Sequence, residues 1–217
     1  MVYNKDTAAQ TAKSLLQIKA IKLNSSEPFT WASGLRSPIY CDNRKSLSFP
    51  RIRTYIRQEL AKAISHQYGD VDVIAGVATA GIPQGALVAQ ELGLPFVYVR
   101  SAKKDHGMTN QIEGVLNANQ SVVVIEDLIS TGKSSLNAVK ALREAGAVVK
   151  GMVGIFSYGL KKANTNFKEA DCQLVVLSDY DALIKEAVEN GYISQSDQKS
   201  LMEWRKDPEA WSKSVQA

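Results

Sequence analysis

Two adjacent carboxylates and a short hydroxyl-rich loop are the groups best suited to chemistry in this chain of 217 residues. Glu126 and Asp127 stand at the end of a run of four β-branched residues, and the loop 130–134 reads Ser-Thr-Gly-Lys-Ser. Loop hydroxyls, and an amide at Gly132 that no Cβ obstructs, are suited to bind a phosphate. The carboxylates would repel a phosphate, so they need ribose hydroxyls, or Mg²⁺ held through water. Together these groups indicate a site for a phosphorylated sugar.

A buried strand and the helix after the loop must position these groups. Four consecutive β-branched residues at 122–125 are typical of a strand buried on both faces of a parallel sheet. After the loop, Leu136, Val139 and Leu142 recur at helical spacing, and Gly146 is a predicted helix stop. In open α/β sheets, ligands bind beyond the carboxyl ends of the strands, where a helix N-terminus also favours an anion.

Two other kinds of segment share part of this pattern. A nucleotide-binding P-loop shares the ending Gly-Lys-Ser, but its pattern requires a glycine at position 127, which is Asp. An ordinary strand-to-helix turn with a capping serine explains the loop, but it does not need two acids after the strand.

The order of an apolar strand, two acids, two apolar residues, Ser, Thr and Gly resembles the signature of the type I phosphoribosyltransferases. The resemblance implies binding of 5-phosphoribosyl 1-diphosphate (PRPP), with the acids on the ribose hydroxyls and the loop amides on the 5-phosphate. It also implies a catalytic role for Asp127. The implied PRPP-binding residues here are Glu126, Asp127, Leu128, Ile129, Ser130, Thr131, Gly132, Lys133 and Ser134.

A second PRPP-binding stretch is implied at the tight turn after the strand predicted at 71–77. It comprises Thr79, Ala80 and Gly81, whose small size lets a ligand approach the backbone. Relatives bind diphosphate at this turn through main-chain groups, often with a non-proline cis peptide. Many of them carry a Lys where this chain has Ala80, so the diphosphate depends more on other cations.

A polar stretch between strands, 101–114, is predicted to form a lid, because long loops with few apolar residues are often functional. The alternative is a solvated polar connection. The resemblance implies that Arg100, Lys104 and His106 bind PRPP and are catalytic, and that Lys103 is a further PRPP contact. Ser101 stands where many relatives have Lys. In a homodimer, the lid would reach the neighbouring subunit's site.

Residues 29–44 are predicted to form two short extended pieces around a Ser-Gly turn, which alone would be a surface ribbon. Their pattern F-T-x-x-S-G-x-x-S-P-x-Y-x-D-x-R resembles the N-terminal hood of the orotate phosphoribosyltransferases, which packs over the base. The implied orotate-binding residues are Ala32, Tyr40, Cys41 and Ser130. Many relatives carry an orotate-binding Arg after the strand that ends here near Phe156. This chain reads Ser-Tyr-Gly-Leu-Lys-Lys at 157–162, so the usual carboxylate anchor is absent or replaced.

The composition is that of an ordinary globular protein, with 45% hydrophobic and 22% charged residues. A net charge of +4 without a block of Lys and Arg is weak evidence for nucleic acid as a partner. Cys41 and Cys172 lie far apart and predict free thiols in a reducing cytosol. No secretory signal or long apolar run is visible, which predicts a cytoplasmic protein without a membrane partner.

Alternating strands and helices predict an α/β fold with a doubly wound, mainly parallel sheet. The resemblance adds the type I phosphoribosyltransferase fold with a small N-terminal hood. We predict one domain over 1–217, with an N-terminal helix and hood at 1–49 and an α/β core with C-terminal helices at 50–217. Trp204 and Trp211 are predicted packing anchors rather than ligand contacts.

The resemblance, which covers about 29 to 205, implies a Mg²⁺-dependent pentosyltransferase of pyrimidine (UMP) biosynthesis. It would join orotate to the phosphoribosyl group of PRPP, giving orotidine 5′-monophosphate and diphosphate. Mg²⁺ would enter through PRPP and water, without a direct protein ligand, and the family implies a homodimer. Alternatives are transfer to another base, a PRPP-sensing regulator that binds nucleic acid, and an α/β interaction domain. The regulator should show a basic face and lack the lid cations, and the interaction domain does not explain acids, loop and lid together.

Overall fold

The computed structural model describes residues 1–31, 33–101 and 111–215. A 3₁₀ helix covers Asn43–Ser48. The other elements are, in chain order, α1 (Lys5–Gln17), β1 (Ile21–Leu23), β2 (Phe29–Thr30), β3 (Arg36–Ser37), β4 (Ile39–Cys41), α2 (Pro50–Tyr68), β5 (Val73–Val77), α3 (Gly81–Leu92), β6 (Phe96–Val99), β7 (Ile112–Glu113), β8 (Ser121–Ile129), α4 (Lys133–Glu144), β9 (Val148–Ser157), α5 (Lys161–Glu169), β10 (Leu174–Asp179), α6 (Tyr180–Glu189), α7 (Gln195–Lys206) and α8 (Pro208–Ser214).

The apolar run 122–125 lies at the centre of a six-stranded sheet with the order β10-β9-β8-β5-β6-β7. Every pairing is parallel except that of β7 with β6. Successive β8 side chains enter the core on opposite faces of the sheet, because strand side chains alternate. Val123 and Ile125 pack in one apolar cluster, Val122 and Val124 in the other. The predicted doubly wound parallel sheet is confirmed.

Two boundaries differ from the sequence prediction. The central strand does not end at the acids, because Glu126 and Leu128 continue the ladder with β9 as far as Ile129. A polar side chain does not stop a strand whose backbone is paired on the neighbouring strand. The last residues of the predicted lid, Ile112–Glu113, form a short strand against β6. The prediction that the whole of 101–114 is loop is therefore wrong at its end.

The predicted hairpin in the hood is confirmed, since β2 and β3 pair antiparallel around the Ser-Gly turn. The C-terminal helices hold this hairpin in place. The amide of Arg36 donates to Ser212 Oγ at 2.9 Å, and Ser25 Oγ donates to Asp197 on α7. The hood is thus bound to a part of the chain more than 170 residues away in sequence.

Trp211 is buried, and Trp204 on α7 is fully buried at the centre of an aromatic cluster. The centre of the Trp204 ring lies 5.7 Å from the ring centres of Trp31 and Tyr158 and 5.5 Å from that of Tyr180. Such edge-to-face and tilted pairs stabilise beyond their burial alone. The predicted packing role of both tryptophans is confirmed, and both cysteines are free thiols as expected.

Tyr68 connects the end of α2 to the sheet through its hydroxyl, and removing this hydroxyl tests the connection. The hydroxyl donates towards two carbonyls, those of Met152 at 3.2 Å and Gln173 at 3.1 Å. Tyr68→Phe should lower the free energy of unfolding by about 1 kcal/mol, the usual net value of a buried hydrogen bond. Urea unfolding measures this. Tyr192→Phe is the control, because Tyr192 is 49% exposed, and equal stability of the two variants would contradict the role of the hydroxyl.

No helix in the described ranges is long and apolar enough to cross a membrane.

Candidate active site

The winding of the sheet reverses between β5 and β8. The chain leaves β5 for β6 on one side and later returns to its other side as β8. Such a reversal opens a crevice at the carboxyl ends of the strands, where open α/β sheets bind ligands. The turn 78–81 after β5 and the loop 130–134 after β8 both lie at this edge.

Glu126 and Asp127 lie near the C-terminal end of β8, at the crevice. Glu126 is buried, and its carboxyl accepts hydrogen bonds from Ser135 Oγ at 2.8 Å and from the Asp127 amide at 3.0 Å. Asn43, at the end of the hood, donates to the Asp127 carbonyl at 2.6 Å. The acid pair is therefore held from three directions, by the strand, by α4 and by the end of the hood.

Burial raises the pKa of both acids, and each is also affected by its neighbour. The pKa of Glu126 rises to about 8, first because of desolvation and then because of the charge of Asp127. Two carboxyl groups this close resist being ionised together. Hydroxyl or cationic partners supplied by a ligand would relieve this cost.

Glu126→Gln should therefore stabilise the free protein, increasingly so at higher pH. A raised carboxyl pKa means that the unfolded chain loses its proton near pH 4.5 and the folded chain only near pH 8, so stability falls between these values. The glutamine variant lacks this term and should gain about 2–4 kcal/mol in unfolding free energy near pH 8, and little at pH 4.5. Thermal unfolding from pH 4.5 to 8 measures the difference. Glu203→Gln, at an exposed position on α7, is the control, and parallel pH profiles of the two variants would contradict the expectation.

The loop after β8 is shaped as a cradle at the start of α4. Gly132 is the N-cap residue with a φ of 76°, a left-handed conformation that favours glycine. A Cβ at this position would overlap the ring of Phe167. Asn166 on α5 donates to the Thr131 carbonyl at 2.8 Å and fixes the loop from outside. No side chain caps α4 within the described residues, so its first amides are directed at the crevice and can bind an anion.

The turn after β5 lies against the acid pair. A Cβ at Gly81 would lie 2.5 Å from the carbonyl oxygen of Ile125, so only glycine allows this approach. The peptide between Ala78 and Thr79 is cis, as it often is at the equivalent turn of the resembled family. Thr79, Ala80 and Gly81 are thus placed beside the acids, with Thr79 exposed.

Arg100 leaves β6 next to this turn, since the amide of Ala78 donates to the Val99 carbonyl at 2.9 Å. The backbone of Arg100 pairs with Gln111 through bonds of 2.9 and 2.7 Å, and its guanidinium lies 3.7 Å from the carboxylate of Glu113. Both ends of the predicted lid are therefore anchored side by side. Lys103, Lys104 and His106 lie outside the described residues, as does Ala32 of the hood.

A cavity of about 1090 Å³ opens beside the loop. The hood contributes Tyr40 and Cys41, the end of β8 contributes Leu128, and the loop after it contributes Ser130 and Thr131. Burial raises the pKa of the Cys41 thiol well above its usual range, with further contributions from Asp127 and Asp42. The thiol therefore stays neutral and donates to Asn43 Oδ1 at 3.2 Å, which does not suit a nucleophile.

Several cavity residues were missed by the sequence analysis. They are Thr30, Trp31, Ser33 and Leu35 of the hood, Tyr158 and Leu160 after β9, Lys161, Lys162, Thr165, Asn166 and Glu169 on α5, and Arg205, Lys206, Asp207, Pro208 and Glu209 of the C-terminal helices. In the sequence, residues 158–162 show a departure from the family pattern but no position in the site. The C-terminal wall carries no local signal, because only long-range packing brings it to the hood.

A parallel sheet with an acid pair and an anion cradle at its switch point defines a class of protein that binds phosphorylated sugars. The family model described as "Phosphoribosyl transferase domain" matches residues 50–181, which include β5, β8 and both loops. This class is the one that the fold and the site indicate.

The more specific comparison is with an orotate phosphoribosyltransferase of Porphyromonas gingivalis. It is 58% identical over 200 residues, which are 92% of this chain and 95% of the relative. The chain belongs to the orotate phosphoribosyltransferase family.

Solved structures agree with this fold. The orotate phosphoribosyltransferase from Aeropyrum pernix is 27% identical, with a TM-score of 0.73 over 84% of this chain and 99% of that chain. The UMP synthase of Leishmania donovani is 25% identical, with a TM-score of 0.76. This match covers 91% of the chain but 42% of the UMP synthase, so the chain spans less than half of that protein.

Proposed function

We propose that this chain transfers the phosphoribosyl group of PRPP to orotate, forming orotidine 5′-monophosphate and releasing diphosphate. The observation that carries this proposal is that an acid pair, an anion cradle and a cavity lie next to one another at the end of β8. The acid pair and the anion cradle lie within the nine residues 126–134, and the cavity lined in part by the hood opens beside them. A phosphorylated ribose and a planar base, bound together, need this sequence of groups.

The acids and the cradle would hold the two ends of the ribose phosphate. Glu126 and Asp127 would accept the ribose hydroxyls, and the amides and hydroxyls of 130–134 would bind the 5-phosphate. Fixing the sugar at both ends sets the angle at which the base approaches C1. Negative charge from Asp127 would also favour the positive charge that develops on the ring as the C1–oxygen bond breaks.

Arg100 and the lid would stabilise the leaving diphosphate. Arg100 is placed beside the turn 79–81, whose backbone would bind diphosphate. We propose that Lys103, Lys104 and His106 join it when the lid closes and excludes water from the reacting centre. Imidazole titrates near neutral pH, so His106 is also suited to donate a proton to the diphosphate.

Mg²⁺ fits the donor chemistry of the site as a cation that arrives with PRPP. Within the described residues, no group of three or more His, Cys, Asp or Glu side chains is arranged to hold a metal ion. The acid pair offers oxygens that Mg²⁺ prefers and that water would bridge. When bound, the cation would neutralise diphosphate charge.

The cytoplasmic location and the single-domain boundaries stay predictions from the sequence.

We also propose a homodimer in which the lid of one subunit serves the site of the other. Mixing complementary inactive variants tests this. Asp127→Asn damages the core of a site and His106→Ala damages a lid, so exchanged dimers should contain one intact site. Equal mixing should restore about a quarter of the activity, because half of the dimers are mixed and half of their sites are intact. No recovery, with subunit exchange verified, would contradict a shared lid.

A panel of bases tests the substrate. The chain is incubated with PRPP, Mg²⁺ and either orotate, uracil, hypoxanthine or adenine, and the nucleotides are separated by chromatography. Orotidine 5′-monophosphate should be the main product. A nucleotide of another base in its place would overturn the substrate assignment and leave the phosphoribosyl-transfer site standing.

A further inference from the structure

The cavity beside the loop is lined by four cationic side chains, two from α5 and two from the end of α7. Arg205 is already engaged, since its guanidinium donates to Asp181 at 2.6 Å and lies 5.8 Å from the centre of the Tyr180 ring. Lys206 shares its wall with Asp207 and Glu209. Lys161 and Lys162 are exposed to the cavity and form no ion pair with any described residue. Their charge is therefore available to a ligand.

The two lysines lie next to the end of the phosphate loop. The amide of Tyr158 donates to the Ile129 carbonyl at 3.1 Å, so the chain after β9 runs beside Ser130. Tyr158 and Leu160 line the same cavity, and α5 begins directly after them. This is the side of the loop that faces the hood rather than the phosphate cradle.

The geometry of α5 separates these lysines from the acid on the same helix. Lys162 and Asn166 are one turn apart on one face, and Asn166 donates to the Thr131 carbonyl, so this face is directed at the loop. Glu169 also lines the cavity, but it lies seven residues from Lys162 and eight from Lys161, or about 10 and about 12 Å along the helix axis. Positive charge is thus concentrated at the end of the cavity near Ser130.

We propose that Lys161 and Lys162 together bind the carboxylate of the base substrate, a role that rests on the proposed transfer to orotate. Orotate differs from uracil by one carboxylate, and a carboxylate removed from bulk water needs a cation. Two flexible ammonium groups supply charge without the fixed fork of an arginine. The lysine pair would therefore select the base that carries the carboxylate over the base that lacks it.

The test compares binding of orotidine 5′-monophosphate and uridine 5′-monophosphate, which share ribose and phosphate and differ in the carboxylate. Titration calorimetry measures both dissociation constants for the wild type and for the double variant Lys161→Ala, Lys162→Ala. Binding of orotidine 5′-monophosphate should weaken by about ten- to a hundredfold, as expected for lost charged hydrogen bonds. Binding of uridine 5′-monophosphate should stay unchanged. The double arginine variant should retain the preference for the carboxylate.

Lys168→Ala is the matched control, because Lys168 is exposed on the same helix and does not line the cavity. It should leave both dissociation constants unchanged. A double alanine variant that keeps the wild-type preference, or that loses both ligands equally, would overturn the role of the lysines. The proposed function is tested separately, since wild-type protein that consumes orotate retains that function whatever the lysine variants do. Wild-type protein that neither consumes orotate nor prefers orotidine 5′-monophosphate would overturn both proposals.

Discussion

Asp127→Asn should lower kcat/KM for the transfer from PRPP to orotate by about a hundredfold. The carboxylate is placed to accept ribose hydroxyls and to favour positive charge on the sugar ring, and an amide supplies no charge for either task. The loss of two charge-assisted hydrogen bonds of about 1.5 kcal/mol each accounts for this factor. Initial rates at varied PRPP, with orotate saturating, measure the loss.

The lower kcat/KM of Asp127→Asn should not come from a loss of folding stability. Burial raises the pKa of Asp127, so its ionised form is unfavourable in the free protein and the amide should not lower the thermal midpoint. Asp72→Asn is the control at the opposite edge of the sheet, directly before β5, where its carboxylate accepts hydrogen bonds from the amide and hydroxyl of Ser121, the first residue of β8, each at 2.7 Å. That variant should keep wild-type kinetics. Wild-type activity in Asp127→Asn would contradict a role of the acid pair in the transfer.

Gly132→Ala should weaken PRPP binding by about ten- to a hundredfold and lower the unfolding free energy by about 3 kcal/mol. Two costs add at this position. The φ of 76° is unfavourable for alanine, and the new Cβ would overlap the Phe167 ring, so the loop must move. Displaced amides no longer converge on the 5-phosphate. Calorimetric titration with PRPP and chemical unfolding measure the two effects.

Gly93→Ala separates these costs. Gly93 ends α3 with a φ of 66°, close to that of Gly132, but a Cβ there has no heavy atom within 4 Å. It should lose about 1 kcal/mol of stability from backbone strain alone and bind PRPP normally. Equal behaviour of the two alanine variants would contradict the steric argument at Phe167.

The centre of the site was predictable because its signals are local. Four β-branched residues, two acids and Ser-Thr-Gly lie within the eleven residues 122–132, and strand, loop and helix follow from their order. The hood motif was likewise continuous in sequence, and its hairpin forms as expected.

What could not be predicted depends on pairing across the chain. β8 continues to Ile129 because β9 supplies partners for its backbone, which no property of Glu126 indicates. The wall at 205–209 reaches the cavity because Trp204 packs among Trp31, Tyr158 and Tyr180. Lys161 and Lys162 were visible as a departure from the family pattern, but only the cavity gives them a position near Ser130.

The most direct measurement is the fall in orotate absorbance when the chain is mixed with PRPP and Mg²⁺, with each component omitted in turn. Orotate should disappear only in the complete mixture, and diphosphate should appear in equal amount. Orotate that persists in the complete mixture, while the folded chain still binds PRPP, would contradict the proposed transfer.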